Sequence, residues 1–459
     1  MDWMKTRVLI IGAARQGLAL TRYLSGRGAQ VILNDRRSTA ELAAARESLA
    51  GLPVEWVCGS HPLELLDRVD LVCLSGGVPL TMPLVAEAAR RGLPISNDTE
   101  IFLSAVKCPV IGITGSAGKT TTTTLVGRMA QAGVQAPRRA WVGGNIGLPL
   151  VEYLDEIQPD DLVILELSSF QLEQVTHSPH IAAVLNITPN HLDRHGTMEA
   201  YTAAKARILD FQHTGDIAVL NREDGGSWGL ARNLHGSLVS FGLQRPNEEF
   251  TGTYAENGQL FWQSGKEPVQ FLDQKEIQLR GQHNVVSVLA AAALAFSAGL
   301  SRDAVRAGVL GFQGVAHRLE LVREWRGVRW YNDSIATAPE RTIAGVHAFN
   351  EPLVLLLGGR DKKLPWDTLA AVVHQRVDHV ILFGESAEMI EKVFGAPAAG
   401  GRPYTQTRCA TLEEAVAEAA RVAQSGDVVL LSPGGTSFDE FADFEERGEA
   451  YRTWVNKLA

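Results

Sequence analysis

Basic charge and long apolar runs are both scarce in this chain of 459 residues. Its 43 Lys and Arg are outnumbered by 52 Asp and Glu, which gives a formal net charge of -9. A surface that neutralises nucleic-acid or membrane phosphates usually needs a basic field. No apolar run approaches the roughly 18 to 20 residues of a membrane-spanning helix. We therefore expect no nucleic-acid partner and no membrane partner, so any anionic ligand must be met by local charges.

Cysteine is also rare. The four cysteines are widely separated and lack the paired spacing of a disulfide framework or a zinc module. The first segment, MDWMKTRVLIIG, enters an apolar run of strand length without the long apolar region and cleavage site of a secretion signal. The sequence predicts a cytoplasmic protein, and we expect it to be monomeric.

Short Val, Ile and Leu runs alternate with helix-period stretches along most of the chain, which is typical of βαβ units and parallel sheets. The length favours roughly two to four domains. We predict an α/β fold of three domains. They are an amino-terminal Rossmann-like nucleotide-binding domain (1–107), a central P-loop ATPase-like domain (108–312) and a carboxy-terminal Rossmann-like domain (313–459). The central domain should have a mainly parallel sheet and a small antiparallel insertion over 237–280.

The segment VIGITGSAGKTTTTT predicts a phosphate-binding loop. A strand, a glycine-containing turn and Lys-Thr at a helix start let backbone N–H groups and the helix dipole hold phosphates. Lys119 would reach the β and γ phosphates, and Thr120 would bind Mg²⁺. Ile113 stands where the strict pattern has its first glycine, but Gly115 and Gly118 supply the backbone freedom. The alternative is an ordinary strand-to-helix turn with an exposed lysine.

Carboxylates follow two strands of the same segment. Glu166 lies in LELSSFQLE, and Asp193 lies in TPNHLDRHG between His191 and His195. Ligands of open α/β sheets collect at the carboxyl ends of strands, so Lys119, Glu166 and His191 could converge there. Mg²⁺ needs few protein ligands because water and phosphate supply the other oxygens. His-x-Asp-x-His could instead be a zinc site or a structural turn.

The segment LIIGAARQGLA is similar to a dinucleotide fingerprint, but Ala14 replaces the middle glycine between Gly12 and Gly17. That glycine normally lets a pyrophosphate approach the backbone, so its absence weakens the case for a nicotinamide cofactor. Asp35 ends the second predicted strand, where a ribose or base could be bound. We predict a nucleotide-accepting domain, with a nicotinamide-dependent dehydrogenase as the alternative.

Many motifs together resemble the Mur ligase family in order and spacing over nearly the whole chain. They are GSAGKTT, VGGNIGLP, LELSSFQLE, TPNHLDRHG, YTAAKARI, GQHNV, AHRLE, NDSIAT, GGRDKK and LLSPGGTSFDEFADFEERG. The resemblance implies an ATP-dependent ligase that adds D-glutamate to UDP-N-acetylmuramoyl-L-alanine through an acyl phosphate and a tetrahedral intermediate, in peptidoglycan precursor synthesis. A Mur-type ligase for another amino acid, or a non-catalytic nucleotide-binding protein, remains an alternative.

The resemblance also implies roles for individual residues. ATP would be bound by Gly115, Ser116, Gly118, Lys119, Thr120, Thr121, Asn284, Arg318 and Asp333. The UDP-linked substrate would be bound by Asp35, Arg37, Ser75, Gly77, Asn145 and His191. The incoming amino acid would be bound by Thr337, Lys362, Ser437 and Phe444. Two Mg²⁺ ions would be held by Thr120, Glu166, His191 and Lys205, and the catalytic set would be Lys119, Glu166, His191 and Lys205.

Within this set, the resemblance implies that Lys205 is carbamylated. Without the resemblance, a lysine in MEAYTAAKARILDF would be expected simply to lie on a solvated helix face. A carbamate would offer Mg²⁺ an oxygen, which an ammonium group cannot do.

The chain departs from the family pattern at two positions. Ala117 stands where the family commonly has Asn, which should cost a side-chain hydrogen bond and little geometry. Ile335 stands where the family commonly has Lys, which removes a cation. Either Lys363 or Arg341 therefore substitutes for that cation, or the amino-acid pocket differs.

Overall fold

The structure, a computed structural model, describes residues 2–279, 281–362, 364–395 and 403–459. The chain divides into two units, one ending at Phe312 and the other spanning Gln313–Ala459. All four cysteines are free. Among the described residues, no helix is long and apolar enough to cross a membrane. The domain boundaries inferred from the sequence stay predictions.

The first unit begins with a five-stranded parallel sheet in the order β3-β2-β1-β4-β5. Its strands form from apolar runs because both faces of the sheet are covered. In chain order the elements are β1 (Arg7–Ile11), α1 (Arg15–Gly26), β2 (Gln30–Asp35), α2 (Ala43–Ser48), β3 (Val54–Cys58), β4 (Leu71–Leu74), α3 (Pro83–Arg90), β5 (Ile95–Asn97) and α4 (Asp98–Ala105). The strand order reverses direction at β1 and β4, where open α/β sheets bind ligands.

A nine-stranded sheet follows in the same unit. Its first elements are β6 (Val110–Thr114), α5 (Lys119–Gly133), β7 (Ala140–Gly144), β8 (Leu162–Glu166), α6 (Ser169–Leu172), β9 (Ile181–Val184), α7 (Leu192–His195), α8 (Met198–Asp210) and β10 (Ile217–Asn221). The remainder are α9 (Gly225–Gly229), β11 (Ser237–Phe241), β12 (Thr251–Glu256), β13 (Gln259–Gln263), β14 (Val269–Asp273), α10 (Gln282–Ser297) and α11 (Arg302–Val309). The strand order is β14-β13-β12-β11-β10-β9-β6-β8-β7.

The segment predicted as an antiparallel insertion extends this sheet. β11 pairs in parallel with β10, and β12 pairs in parallel with β11. Only the β12-β13 and β13-β14 pairs are antiparallel. An alternating apolar pattern reports that one strand face is buried, but it does not report the direction of the neighbouring strand.

Buried polar contacts join the two sheets of the first unit. Asn97 caps α4 by accepting a hydrogen bond from the Glu100 backbone N–H at 2.8 Å. Its Nδ2 donates to the Gln171 carbonyl at 2.7 Å, and Gln171 Nε2 donates to Thr99 Oγ1 at 3.1 Å. Because these groups are buried, separating the sheets would leave them without partners.

The second unit is built on a six-stranded sheet in the order β15-β16-β20-β17-β18-β19. The β15-β16 pair is antiparallel and the other pairs are parallel. The elements are β15 (Glu320–Trp325), β16 (Val328–Asn332), α12 (Pro339–His347), β17 (Leu353–Gly358), α13 (Asp367–Arg376), β18 (His379–Phe383), α14 (Ala387–Phe394), β19 (Thr405–Arg408), α15 (Leu412–Val422), β20 (Val428–Gly434) and α16 (Phe444–Lys457). The adjacent carboxyl ends of β16, β20 and β17 bring three predicted site segments to one edge.

Candidate active site

The predicted phosphate loop joins β6 to α5. Gly118 caps α5 at φ +81°, a left-handed conformation that favours glycine. Lys119 is the first helical residue, and its Nζ donates to the Gly115 carbonyl at 2.8 Å. Asn186, which sequence reasoning missed, accepts from the Ala117 N–H at 2.8 Å and donates to the Ala117 carbonyl at 3.1 Å. The loop backbone is therefore held although position 117 has no polar side chain.

Ser116 connects the loop to α8. Its Oγ donates to the Thr188 carbonyl at 2.9 Å and lies 3.1 Å from the Tyr201 hydroxyl. Thr120 and Thr121, in the first turn of α5, are half-buried. The motif YTAAKARI contained Tyr201, but nothing in its spacing indicated this contact with a residue 85 positions away.

Lys205 lies inside the protein, contrary to the solvated helix face expected without the family resemblance. Its side chain is 1% exposed, and Nζ donates to the Gly115 carbonyl at 3.0 Å. Nζ also lies 4.7 Å from the centre of the Tyr201 ring. Burial, aided by the charge of Lys119, lowers the pKa of Lys205 to about 7. Lys119 and Lys205 thus meet at one carbonyl, and neutral pH leaves much of Lys205 uncharged.

Glu166, the last residue of β8, carries a buried oxygen that is free to bind a ligand. Its Oε1 accepts a hydrogen bond from Asn145 Nδ2 at 2.9 Å. Its Oε2 is buried and has no hydrogen-bond partner among the described residues. A buried carboxylate oxygen without a partner is costly unless a ligand or ion satisfies it.

The His-x-Asp-x-His segment packs around Phe170. The His195 ring stacks on Phe170 with centroids 5.2 Å apart, and the Arg194 guanidinium lies 3.9 Å from the ring centre. His191 is exposed, with a left-handed φ of 53°, and its ring meets the same ring edge-on at 5.1 Å. Phe170 therefore fixes the turn that presents His191.

The zinc alternative gains no support from this arrangement. His195 Nε2 lies 3.0 Å from Ser169 Oγ, and its Nδ1 lies 3.2 Å from Glu173, so both ring nitrogens have protein partners. Within the described part of the chain, no three His, Cys, Asp or Glu side chains could hold a metal ion. The Asp193 side chain lies outside the described part.

Asp35 and Arg37 form a locked pair at the end of β2. Asp35 Oδ2 accepts from the Ala13 N–H at 2.8 Å and from Arg37 NH2 at 2.8 Å. Burial alone would raise the pKa of Asp35, but the hydrogen bonds from Arg37 and Ala13 hold it well below its usual range. The pair thus gives this strand end a fixed carboxylate and guanidinium.

The loop after β4 is linked to the central sheet. Arg194 donates to the carbonyls of Gly77 and Val78 at 3.4 and 2.8 Å, and Ser75 is buried at its start. Arg15 donates to the Asn145 carbonyl at 3.4 Å. The predicted Ser75 to Gly77 segment is therefore tied to the turn that carries His191.

The predicted site residues of the second unit gather at its sheet edge. Asp333 accepts hydrogen bonds from Ser432 Oγ at 2.8 Å and the Leu319 N–H at 3.2 Å. Burial raises its pKa to about 7. Lys362 Nζ donates to Thr337 Oγ1 at 3.1 Å.

Ser437 and Arg318 lie in loops of this unit, and Phe444 lies at the start of a helix. Ser437 is buried and Phe444 begins α16, while Arg318 is exposed. Arg447, which sequence reasoning missed, is fully buried and donates to Ser334 Oγ and the Gly435 carbonyl at 3.0 and 3.2 Å. It thereby joins the two loops that follow β16 and β20.

Two further positions named from the sequence are Asn284 and Lys363. Asn284 lies in the first turn of α10 in the first unit, and its backbone N–H donates to the Gly281 carbonyl at 3.0 Å. Lys363, one of the two suggested replacements for the missing cation, lies outside the described residues.

Three family models match the chain, and together they cover most of it. A MurD-like amino-terminal domain matches residues 6–97, a Mur ligase middle domain matches 113–295, and a Mur ligase glutamate ligase domain matches 317–435. The chain belongs to the Mur ligase family. The family and the three-domain α/β fold predicted from the sequence are thereby confirmed.

Relatives over the full length sharpen this comparison. The chain is 42% identical to the UDP-N-acetylmuramoylalanine--D-glutamate ligase of Symbiobacterium thermophilum, covering 99% of each chain. It is also 42% identical to the ligase of the same name from Geobacillus kaustophilus, covering 98% of each.

Solved structures of other Mur ligases share the fold. UDP-N-acetylmuramate-alanine ligase MurC of Thermotoga maritima has a TM-score of 0.56 at 19% identity, covering 98% of this chain and 99% of that one. A pseudomurein peptide ligase type C of Methanothermus fervidus has a TM-score of 0.55 at 18% identity, covering 99% and 100%.

Proposed function

We propose that this Mur ligase forms an amide bond between D-glutamate and UDP-N-acetylmuramoyl-L-alanine, converting ATP to ADP and phosphate, in the synthesis of peptidoglycan precursors. The observation that carries the proposal is the phosphate loop, where Lys119 and Lys205 meet at the Gly115 carbonyl. The names of the full-length relatives supply the two substrates. A cytoplasmic location, the compartment that holds ATP, is part of the proposal.

The reaction needs an activated carboxylate. ATP transfers its γ-phosphoryl group to the substrate carboxylate, giving ADP and an acyl phosphate. The amine of D-glutamate then attacks the acyl carbon, and the tetrahedral intermediate expels phosphate and loses a proton. In this scheme Lys119 and the N-terminal backbone of α5 hold the phosphates and stabilise their charge. No protein nucleophile is required.

The residues present fit Mg²⁺ in part. The unpartnered buried Oε2 of Glu166 and the hydroxyl of Thr120 are oxygen donors of the kind this ion prefers. His191 offers a nitrogen and Lys205 an ammonium, which are not ligands that Mg²⁺ prefers. When bound, Mg²⁺ would neutralise phosphate charge. We propose Glu166 and Thr120 as its protein ligands, with Lys205 joining them in a modified form and His191 beside them.

Carbamylation of Lys205 is the modification we propose. The reaction joins a neutral amine to carbon dioxide and releases a proton, so it requires an uncharged lysine. A pKa of about 7 supplies that form at neutral pH. The product carries a carboxylate-like group that can bind a metal ion.

We further propose which residues bind the other substrates. Asp35 and Arg37 bind the uracil end of the UDP-linked substrate, and Ser75 to Gly77 and Asn145 follow its diphosphate and sugar. Asn284, Arg318 and Asp333 bind ATP. The residues proposed for D-glutamate are Thr337, Lys362, Ser437 and Phe444.

The decisive experiment measures phosphate release with UDP-N-acetylmuramoyl-L-alanine, ATP and a panel of D- and L-amino acids. We expect release only with all three substrates, with D-glutamate the preferred acceptor. Stimulation by another amino acid but not by D-glutamate would overturn the substrate assignment. Absence of release with every acceptor, beside a positive control ligase, would favour a non-catalytic nucleotide-binding protein. A Lys119→Ala variant serves as the inactive control.

A further inference from the structure

Among the described residues, the cations Arg318, Arg341 and Lys362 share the edge of the second sheet with the buried carboxylate of Asp333. Arg341 NH1 donates to the Ile335 carbonyl at 3.3 Å. The same carbonyl accepts from the backbone N–H of Thr337 at 2.9 Å, and Lys362 contacts the Thr337 hydroxyl. The charge of Arg318 acts on Arg341, and the charge of Arg341 acts on Lys362. Ile335, whose carbonyl Arg341 contacts, contributes no charge.

In the described part of the chain, none of these three cations forms an ion pair with a carboxylate. The oxygens of Asp333 accept from Ser432 and Leu319, and its raised pKa of about 7 leaves it partly uncharged. The charges of Asp333 and of the exposed Glu340 offset part of the effect of Arg318 on Arg341, but neither carboxylate pairs with it directly.

The like charges of these cations also repel one another. Burial and the charges of Arg341 and Arg447 lower the pKa of Lys362. Desolvation of the guanidinium, with the charge of Arg318, lowers the pKa of Arg341. An anion seated between them would relieve this repulsion.

Arg341 lies at a helix position where a cation does not stabilise the helix. It is the third residue of α12, whose N-terminal end carries the positive pole of the helix dipole, where a cation is disfavoured. Part of the Arg341 residue is exposed to solvent, although its guanidinium is partly desolvated. The guanidinium has N–H donors beyond the one that contacts the Ile335 carbonyl, and these can meet a ligand.

We propose that Arg341 is a specificity-determining residue that binds a carboxylate of the incoming amino acid beside Lys362. This inference rests on the proposed function, because D-glutamate carries two carboxylates and a neutral acceptor carries one. Lys362 acts as a point charge for the first. The planar guanidinium of Arg341 can hold the second through two parallel hydrogen bonds. The pair therefore matches a dicarboxylate better than a monocarboxylate.

The test compares steady-state kinetics of Arg341→Ala and Arg341→Lys with the unaltered enzyme. A matched control is Arg421→Ala, which removes an exposed arginine from α15 in the same unit. We expect Arg341→Ala to raise the KM for D-glutamate at least about tenfold, the usual scale for losing a charge-assisted hydrogen bond. The KM for ATP should stay within about twofold. Arg341→Lys keeps the positive charge but lacks the two parallel N–H donors of the guanidinium. Its KM for D-glutamate should lie between those of the unaltered enzyme and Arg341→Ala.

Two further measurements sharpen the result. The preference for D-glutamate over the neutral D-glutamine should fall in Arg341→Ala. Adding Ile335→Lys to Arg341→Ala should recover part of the D-glutamate affinity, because it returns a cation to the residue that Arg341 contacts. Circular dichroism would establish that each variant is folded.

The experiment distinguishes a failure of the proposed function from a failure of the proposed role of Arg341. If the unaltered enzyme is inactive with D-glutamate, the proposed function itself is wrong. If it is active and Arg341→Ala leaves the KM for D-glutamate unchanged, only the role of Arg341 is overturned. A rise in the KM for ATP alone would mean that Arg341 binds phosphate, which also contradicts this proposal.

Discussion

At the scale of single residues, the burial of Lys205 gives the most direct prediction. Lys205→Ala should lose most ligase activity, because the variant lacks the amine that we propose carries the carbamate. Added bicarbonate should restore none of it, whereas formate or acetate should restore part by filling the space with a carboxylate. Lys275→Ala, at an exposed lysine, is the control. Full activity of Lys205→Ala in the phosphate-release assay would refute the assignment.

The raised pKa of Asp333 predicts that the stability of the protein depends on pH. Its folded-state pKa of about 7 lies above the ordinary value of 3.8, so the folded protein binds this proton more tightly than the unfolded chain. The free energy of unfolding should therefore fall as the pH rises from about 4 through about 7. Asp333→Asn lacks this proton. Between pH 5 and 8, its free energy of unfolding should therefore fall by at least about 1 kcal/mol less than that of the unaltered protein, since one pKa unit corresponds to about 1.4 kcal/mol. Urea unfolding at both pH values measures the difference, and equal losses in the two proteins would contradict the prediction.

Sequence motifs could identify site residues whose chemistry depends on their neighbours in the chain. Lys119 follows a strand and a glycine turn, and Glu166 ends a strand, so each can be placed from the pattern alone. Asn186, Tyr201 and Arg447 contact loops that are distant in sequence. Their roles depend on tertiary contacts that no local pattern contains.

At the scale of elements, the packing of α11 against α5 requires a glycine. A Cβ at Gly308 would lie 2.4 Å from Met129 Cγ and 2.7 Å from its backbone nitrogen. Gly308→Ala should therefore destabilise the protein by about 1 to 3 kcal/mol through overpacking. Gly26→Ala is the matched control, because that helical glycine has no atom near its Cβ position. Alanine there should be neutral or slightly stabilising. Equal melting temperatures for the two variants would show that α11 can shift without cost.

The elements differ in how well the sequence predicted them. Buried strands such as β6 and β8 follow from continuous apolar runs, and α5 follows from the turn before it. The antiparallel prediction for 237–280 was right for β12 to β14 but missed the parallel pairing of β11. Strand direction depends on the route taken by the connecting chain, which hydrophobic periodicity does not encode.

At the scale of the whole molecule, the second unit has the features of an independently folding domain. Successive residues of β17 alternate between two apolar cores, with Leu353 and Leu355 on one face of the sheet and Val354 and Leu356 on the other. Arg447 is buried entirely among partners from the same unit. The first unit differs, since its two sheets share the buried contacts of Asn97 and Gln171.

We therefore predict that residues 313–459, expressed alone, will fold and unfold cooperatively, with a near-ultraviolet circular dichroism signal from packed aromatic side chains. The matched control begins at residue 353 and lacks β15, β16 and α12. Removing β16 exposes the edge of β20 and deletes Trp330 and Tyr331, which pack in the two cores. The shorter fragment should lose the near-ultraviolet signal because neither core can close. If both fragments behave alike, folded or unfolded, then the sheet edge at β16 does not determine whether this unit is stable.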